Sequence, residues 1–231
     1  MTTPMREKMI AQVAAQCEAL RQRDPRELAA RCGAEFEHGV LRLKFFDEMH
    51  TITFPELKVH VETTNKACGL NRSSMFFYYF LTADGAPRAG KWVAFRELPG
   101  GMFYHQAYQG YSGDRLAKAI DNRVGVFERA AKNLGGMKLD IGCDVSSRGE
   151  SAAEANSSVP RDNTSAAFAF DALPRVRVAA VYYAGDEDFP ASANVLFDAS
   201  AIHYLPTDAL GGVGSSLVDR LTGTESRDDE E

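Results

Sequence analysis

The chain has 231 residues, 45% of them apolar and 25% charged, which suits one globular domain with a core of ordinary size. Its formal charge is −6, of which the acidic stretch after Thr224 carries −4, so residues 1–224 hold only −2. A nearly neutral body argues against nucleic-acid binding, and apolar runs of about seven residues fall short of the roughly 20 that a membrane span needs.

The opening MTTPMREKMIAQ lacks the apolar core and small-residue cleavage site of a signal peptide, so a cytoplasmic location is expected. Residues 4–22 predict a helix, with Thr3 as its cap and Ile10, Val13, Cys17 and Leu20 on one apolar face. Asp24-Pro25 starts a second helix and Gly33 ends it. These make an N-terminal helical segment, residues 1–33, ahead of a main α+β domain at 34–222. Val40–Phe45, the turn Asp47-Glu48 and Met49–Phe54 predict a β-hairpin, and Leu57, Val59 and Val61 alternate as in a further strand. His38, His50 and His60 fall on the hairpin strands at positions read as exposed.

Leu70–Ala83 is apolar nearly all round from Met75, which predicts a buried central helix. Lys91–Phe95 predicts a strand, followed by helices over about 102–110, 113–122 and 123–134, with Ser112 as a cap. Cys143–Thr164 holds five serines and no aromatic residue, and is expected to be a flexible insertion. Strands resume at Ala166–Phe170, Val176–Tyr183 and Asn194–Asp198. Thr207 or Asp208 would cap a last helix, whose stripe is Leu210, Val213, Leu217 and Leu221. Gly211, Gly212 and Gly214 inside it suggest close packing on another backbone. Residues 223–231 are expected to be a disordered acidic tail. The fold class that results is α+β: a mixed, largely antiparallel sheet with a buried central helix and packed helices, in a single domain.

Cys17, Cys32, Cys68 and Cys143 form no CxxC pair, so a zinc or iron–sulfur framework is not expected and reduced thiols are. No GxSxG, GxxxxGK[ST] or GxGxxG occurs, which disfavours a nucleophile elbow, nucleotide hydrolysis and classical dinucleotide binding. Two junctions carry candidate chemistry. At the first, Arg96, Gly100 and Gly101 combine a cation with a glycine turn able to present amides to an anion, followed by Tyr104, His105, Tyr108 and Tyr111. At the second, His203 and Tyr204 lie between a strand and a helix, where the histidine would serve as an acid–base group or axial ligand. Each also has a purely structural reading, as a tight turn, packed aromatics or a hydrogen-bonded histidine. Asp186-Glu187-Asp188 reads as a solvated acidic turn.

Three stretches carry a family likeness: YYFLTADGAP (Tyr78–Pro87), GKWVAFRELPGGMFYHQAY (Gly90–Tyr108) and FPASANVLFDASAIHYLPTDAL (Phe189–Leu210). Over about residues 34–222 the chain resembles a prokaryotic family of unknown function, DUF3786, found mainly in anaerobes. Some of its members carry an added four-cysteine iron–sulfur domain like that of corrinoid proteins, which this cysteine spacing does not match. The resemblance implies anaerobic metabolism and a link to corrinoid or one-carbon proteins, and it supplies no catalytic residue.

The expectation is therefore a cytoplasmic ligand-binding or accessory protein whose two junctions meet in one pocket. The pocket would hold a small anionic ligand, with a corrinoid or other tetrapyrrole as the cofactor to look for and a corrinoid or iron–sulfur protein as the partner. Two alternatives stand beside it. One is an enzyme on a small anionic substrate, with Arg96 binding the anion and His105 or His203 moving protons. The other is a protein–protein adaptor.

Overall fold

A computed structural model describes residues 3–140 and 165–224. The candidate insertion at 143–164 and the acidic stretch 225–231 lie outside the described residues. Helix α1 spans Thr3–Arg21 and α2 spans Pro25–Cys32. The Asp24 carboxylate accepts the Arg26 amide, and Gly33 closes α2 at φ +67°, as the Asp-Pro start and glycine stop require. Of the apolar face expected for α1, Val13, Cys17 and Leu20 pack on the core and Ile10 does not. Ile10 is 48% exposed, whereas Gln16 is buried beside Leu20.

The first sheet holds β1 (Glu35–Glu37), β2 (Val40–Phe45), β3 (Glu48–Thr53) and β4 (Val59–Val61), in that order. Phe45 pairs with Glu48, so Phe46 and Asp47 make the hairpin turn. His50 is a correction to its expected exposure. It is fully buried, its ring packing on Phe45 and Phe76 at 6.2 and 4.9 Å between centroids, and its Nδ1 lies 3.3 Å from the Glu48 carbonyl. A half-apolar ring with one carbonyl partner is accommodated in a core.

The buried helix α3 spans Leu70–Thr82. Its Phe76 meets Phe45 of β2 edge-on at 5.8 Å, and its Tyr79 lies 5.9 Å from Tyr204. Tyr79 also donates to the Cys32 carbonyl at 2.7 Å and accepts the Arg175 amide at 3.0 Å. This helix thus ties α2 to both sheets.

The second sheet has the order β5-β9-β8-β7-β6, from β5 (Trp92–Ala94), β6 (Met137–Lys138), β7 (Ser165–Leu173), β8 (Val176–Tyr183) and β9 (Ser192–Asp198). Every pairing in both sheets is antiparallel among the described residues. Residues of β7 alternate, Phe168 and Phe170 entering the main core while Ala167 and Ala169 join a smaller cluster with Trp92 on the opposite face. The Phe46 amide donates to the Ala172 carbonyl at 2.9 Å, a link between the sheets.

Helices α4 (His105–Tyr111), α5 (Gly113–Ile120), α6 (Val124–Asn133) and α7 (Thr207–Thr222) complete the chain. Three local expectations change here. The region read as helical from 102 opens instead with a 3-10 turn, Gly101–Phe103. Ser112 holds the N-cap position of α5 as expected but makes no side-chain cap bond, since its hydroxyl donates back to the Tyr108 carbonyl at 2.6 Å. Neither Thr207 nor Asp208 caps α7. Pro206 holds that position, and the Thr207 hydroxyl donates to the Pro99 carbonyl at 2.8 Å. The α7 glycines face side chains, not a backbone. A Cβ on Gly214 would stand 2.2 Å from the Tyr108 hydroxyl, while one on Gly212 meets nothing within 4 Å.

Cys17 and Cys32 are free thiols. Among the described residues, no group of three or more His, Cys, Asp or Glu converges to hold a metal ion. No described helix is long and apolar enough to cross a membrane.

Candidate functional site

Antiparallel pairing decides where the two junctions go. Trp92 of β5 pairs with Asp198 of β9 and Ala94 with Leu196, so the two strands end at opposite ends of their ladder. The crevice expected of parallel sheets does not arise from this arrangement. The chain partly restores the proximity through the 3-10 turn Ala199–His203, which brings Thr207 against Pro99.

Each junction spends most of its polar groups on itself. In the first, Phe95–Glu97 forms a 3-10 turn, the Glu97 carboxylate accepts the Ala94 amide at 2.6 Å, and Arg96 is half-buried. Gly100 sits at φ +74°, and the Gly101 amide donates to the Leu98 carbonyl at 2.9 Å. A Cβ on Gly101 would meet the Phe95 carbonyl oxygen at 1.9 Å, so the pair of glycines answers a steric demand of the turn. His105 gives its Nδ1 to the Met102 carbonyl at 2.8 Å. The tyrosines do not form one stripe. Tyr104 is 69% exposed, next to Phe103 at 86%, whereas Tyr108 is buried and stacks on Phe95 at 4.0 Å.

His203 and Tyr204 turn to a different partner, the Asp84–Pro87 loop. The Asp84 carboxylate accepts His203 Nδ1 at 2.6 Å, and the Tyr204 hydroxyl donates to the Ala86 carbonyl. The bond from His203, then that from the Ala86 amide, hold the Asp84 carboxyl below its usual range. Asp198 anchors the same loop from beneath. Its buried carboxylate accepts the amides of Ala89 at 3.0 Å, Gly90 at 2.9 Å and Ser200 at 2.9 Å, and the Ser200 hydroxyl at 2.6 Å. Burial alone would raise this carboxyl, but the Ser200 hydroxyl and the three amides outweigh it and leave its pKa lowered. The three stretches that carry the family likeness are therefore bonded to one another. They are the Asp84–Pro87 loop, the strand from Gly90, and the Asp198–Tyr204 turn.

A cleft of about 270 Å³ opens elsewhere, among α1, α3 and α7. From α3 come Asn71, Arg72, Ser74, Met75 and Tyr78. Helix α1 adds Met9 and Gln12, and α7 adds Asp208, Ala209, Gly212 and Ser216. One wall is fixed by a polar ladder. Gln12 donates to the Ser74 hydroxyl at 2.8 Å, that hydroxyl donates to Gln16 at 3.0 Å, and Gln16 donates to the Ser74 carbonyl at 3.2 Å. Arg72 also lines the cleft, its side chain only 2% exposed and its guanidinium 4.7 Å from the centre of the Phe45 ring. Glu48 lies 3.9 Å from Arg72 but 3.0 Å from Arg220, so one carboxylate serves two guanidiniums. Both α3 and α7 present their first turns to the cleft; α3 has no side-chain cap, whereas the Asp208 carboxylate accepts the Ala209 amide at 2.9 Å at the start of α7. The positive end of α3 adds to the field of Arg72.

None of the junction residues lines this cleft. The sequence held a signal for it, the polar run Asn71-Arg72-Ser73-Ser74 opening an otherwise apolar helix, which a search for named motifs passes over.

Comparison with known families gives one result. The family model described as a domain of unknown function, DUF3786, matches residues 24–151 and 148–220. The chain belongs to the DUF3786 family. The match takes in both sheets, α3 and nearly all of α7, and so includes the cleft walls from α3 and α7 as well as the bonded junctions. Helix α1, which contributes Met9 and Gln12, precedes the matched residues. No curated protein and no solved structure matches this DUF3786 chain.

Proposed function

We propose that this protein binds a small anionic molecule in the cleft among α1, α3 and α7. The observation that carries the reading is a cleft of about 270 Å³ with Arg72 among its lining residues and the first turn of α3, which has no side-chain cap, opening onto it. The positive end of a helix and a nearby guanidinium both favour an anion. Ordinary ligand pockets run from roughly 300 to 1,000 Å³. The cleft sits below that span and suits a metabolite of a few carbons, not a corrinoid or haem macrocycle. A tie to corrinoid or one-carbon chemistry would run through the identity of the small ligand or through a partner protein.

Binding is favoured over catalysis by the lining itself. Among the described residues, the cleft is lined by no histidine or cysteine, and its titratable lining groups are Arg72, Tyr78 and Asp208. Thermal denaturation with acetate, succinate, inorganic phosphate and simple amino acids, comparing wild type with Gly212→Leu, tests the reading. At least one of these should raise the wild-type melting temperature in a dose-dependent way and leave Gly212→Leu unmoved. The variant should itself melt no lower, since the site for its Cβ is open. Loss of every ligand response in wild type overturns the reading.

A further inference from the structure

The two halves of α1 are held very differently. In the second half Gln16 and Leu20 are buried, and Val13 and Cys17 pack on the core. Gln16 and Ser74 share two bonds: the Ser74 hydroxyl donates to Gln16, and the Gln16 amide donates to the Ser74 carbonyl. In the first half, residues 4–11 are exposed except for half-buried Met9. Among the described residues, no side chain in 4–11 forms a hydrogen bond or ion pair, and the bond from Gln12 to Ser74 is the first polar tie. Met9 and Gln12 are also the two residues that α1 gives to the cleft. The part of α1 that lines the cleft is therefore its least anchored part.

We propose that residues 4–12 are a movable wall of the cleft, which unwinds to admit a ligand and re-forms over it with Met9 closing against the ligand. This rests on the cleft being the binding site, and it adds how that site opens and closes. Opening gives up the Met9 contact and one neutral hydrogen bond, against the conformational entropy that the freed residues regain. The anchor survives, because Ser74 keeps both of its bonds to Gln16 when Gln12 leaves. Re-forming then propagates from turns that are already helical, so no helix nucleus has to be made anew. Arg6, Glu7, Lys8, Met9 and Ala11 favour that propagation. The flexible thioether of Met9 adapts to the shape of what it covers. A ligand that touches Met9 in the closed form shifts the balance toward closure by its preference for that form.

Amide hydrogen exchange of the intact chain, read by mass spectrometry on overlapping peptides, tests this. It is measured without ligand and with the probe among acetate, succinate, inorganic phosphate and simple amino acids that raises the wild-type melting temperature most. Without ligand, the amides of residues 8–12 should exchange at least about tenfold faster than those of residues 16–20. The probe should slow residues 8–12 by a larger factor than residues 16–20. Ile10→Pro, at an exposed position, breaks the helix of the wall and spares the anchored turns. It should melt within a few degrees of wild type and lose most of the stabilisation that the probe gives. Equal exchange in the two segments overturns the movable wall. Fast exchange at residues 8–12 that the probe leaves untouched reduces the segment to a fraying end and overturns it too, as does a full probe response in Ile10→Pro. If no probe raises the wild-type melting temperature, the anion site falls and the closing wall with it.

Discussion

Replacing Asp198 with asparagine is the sharpest perturbation of the bonded motifs. The carboxylate accepts four donors, from Ala89, Gly90 and both groups of Ser200. Hydrogen bonds to a charged group contribute about 1.5–3 kcal/mol each, and bonds that share one acceptor do not add fully. An asparagine oxygen retains the Ala89 and Ser200 donors on Oδ1, while its amide faces the Gly90 N–H, donor against donor. The expected loss is about 2–4 kcal/mol, given about 1–3 kcal/mol for an unsatisfied buried donor and the weakening of the remaining bonds. For a chain of this size each kcal/mol moves the melting temperature by about 2–4 °C, so a fall of roughly 5–15 °C follows. Because the folded-state pKa of Asp198 is lowered, its contribution is present above the unfolded value, about 3.9, and is lost as pH falls through the folded one. Urea unfolding at pH 7 and pH 3 should therefore show a smaller gap between variant and wild type in acid. Far-ultraviolet circular dichroism gives both readings. A variant that melts within about a degree of wild type at pH 7, or a gap that widens in acid, refutes the argument.

Two glycines of α7 should respond in opposite ways. Gly214→Ala places a Cβ 2.2 Å from the hydroxyl of Tyr108, whose ring is held by its stack on Phe95, and should cost about 1–3 kcal/mol in urea unfolding. Gly212→Ala has open space and should gain up to about 1 kcal/mol from helix propensity. Among the thiols, burial pushes Cys32 up to about 12, and it is fully enclosed, so iodoacetamide at pH 8 should modify it only on unfolding. Half-exposed Cys17 should react sooner, as peptide mass mapping over time would record. Gly101→Ala meets the Phe95 carbonyl and should lower stability and not ligand affinity, which separates a turn glycine from a binding one.

The elements were legible wherever local chemistry dictates them. Asp24-Pro25 with Gly33 defines α2, alternation defines the hairpin of β2 and β3, and the apolar run from Met75 defines α3. What the sequence hid were choices made by tertiary contact. His50 shares a face of β3 with buried Ile52, and α3 covers that face, whereas Met49 and Thr51 on the other are half-buried. Helix α1 has little amphipathic pattern because two glutamines, satisfied by Ser74, sit on its buried face. The junction residues Arg96, His105, His203 and Tyr204 stand out in sequence because the loops they brace are built from unusual residues. Arg72 does not stand out, because its role depends on α7 arriving from more than a hundred residues away.

Methionine methyl groups offer the most direct test of the cleft. Of the seven methionines, Met9 and Met75 line it, while Met102 lies in the first junction turn and Met137 on β6. With carbon-13-labelled methyls, titration of the intact chain with succinate should shift the Met9 and Met75 resonances together along one saturating curve, with Met102 and Met137 still. Shifts confined to Met102, or none at Met9 and Met75 under saturating succinate and phosphate, would contradict a binding site among α1, α3 and α7.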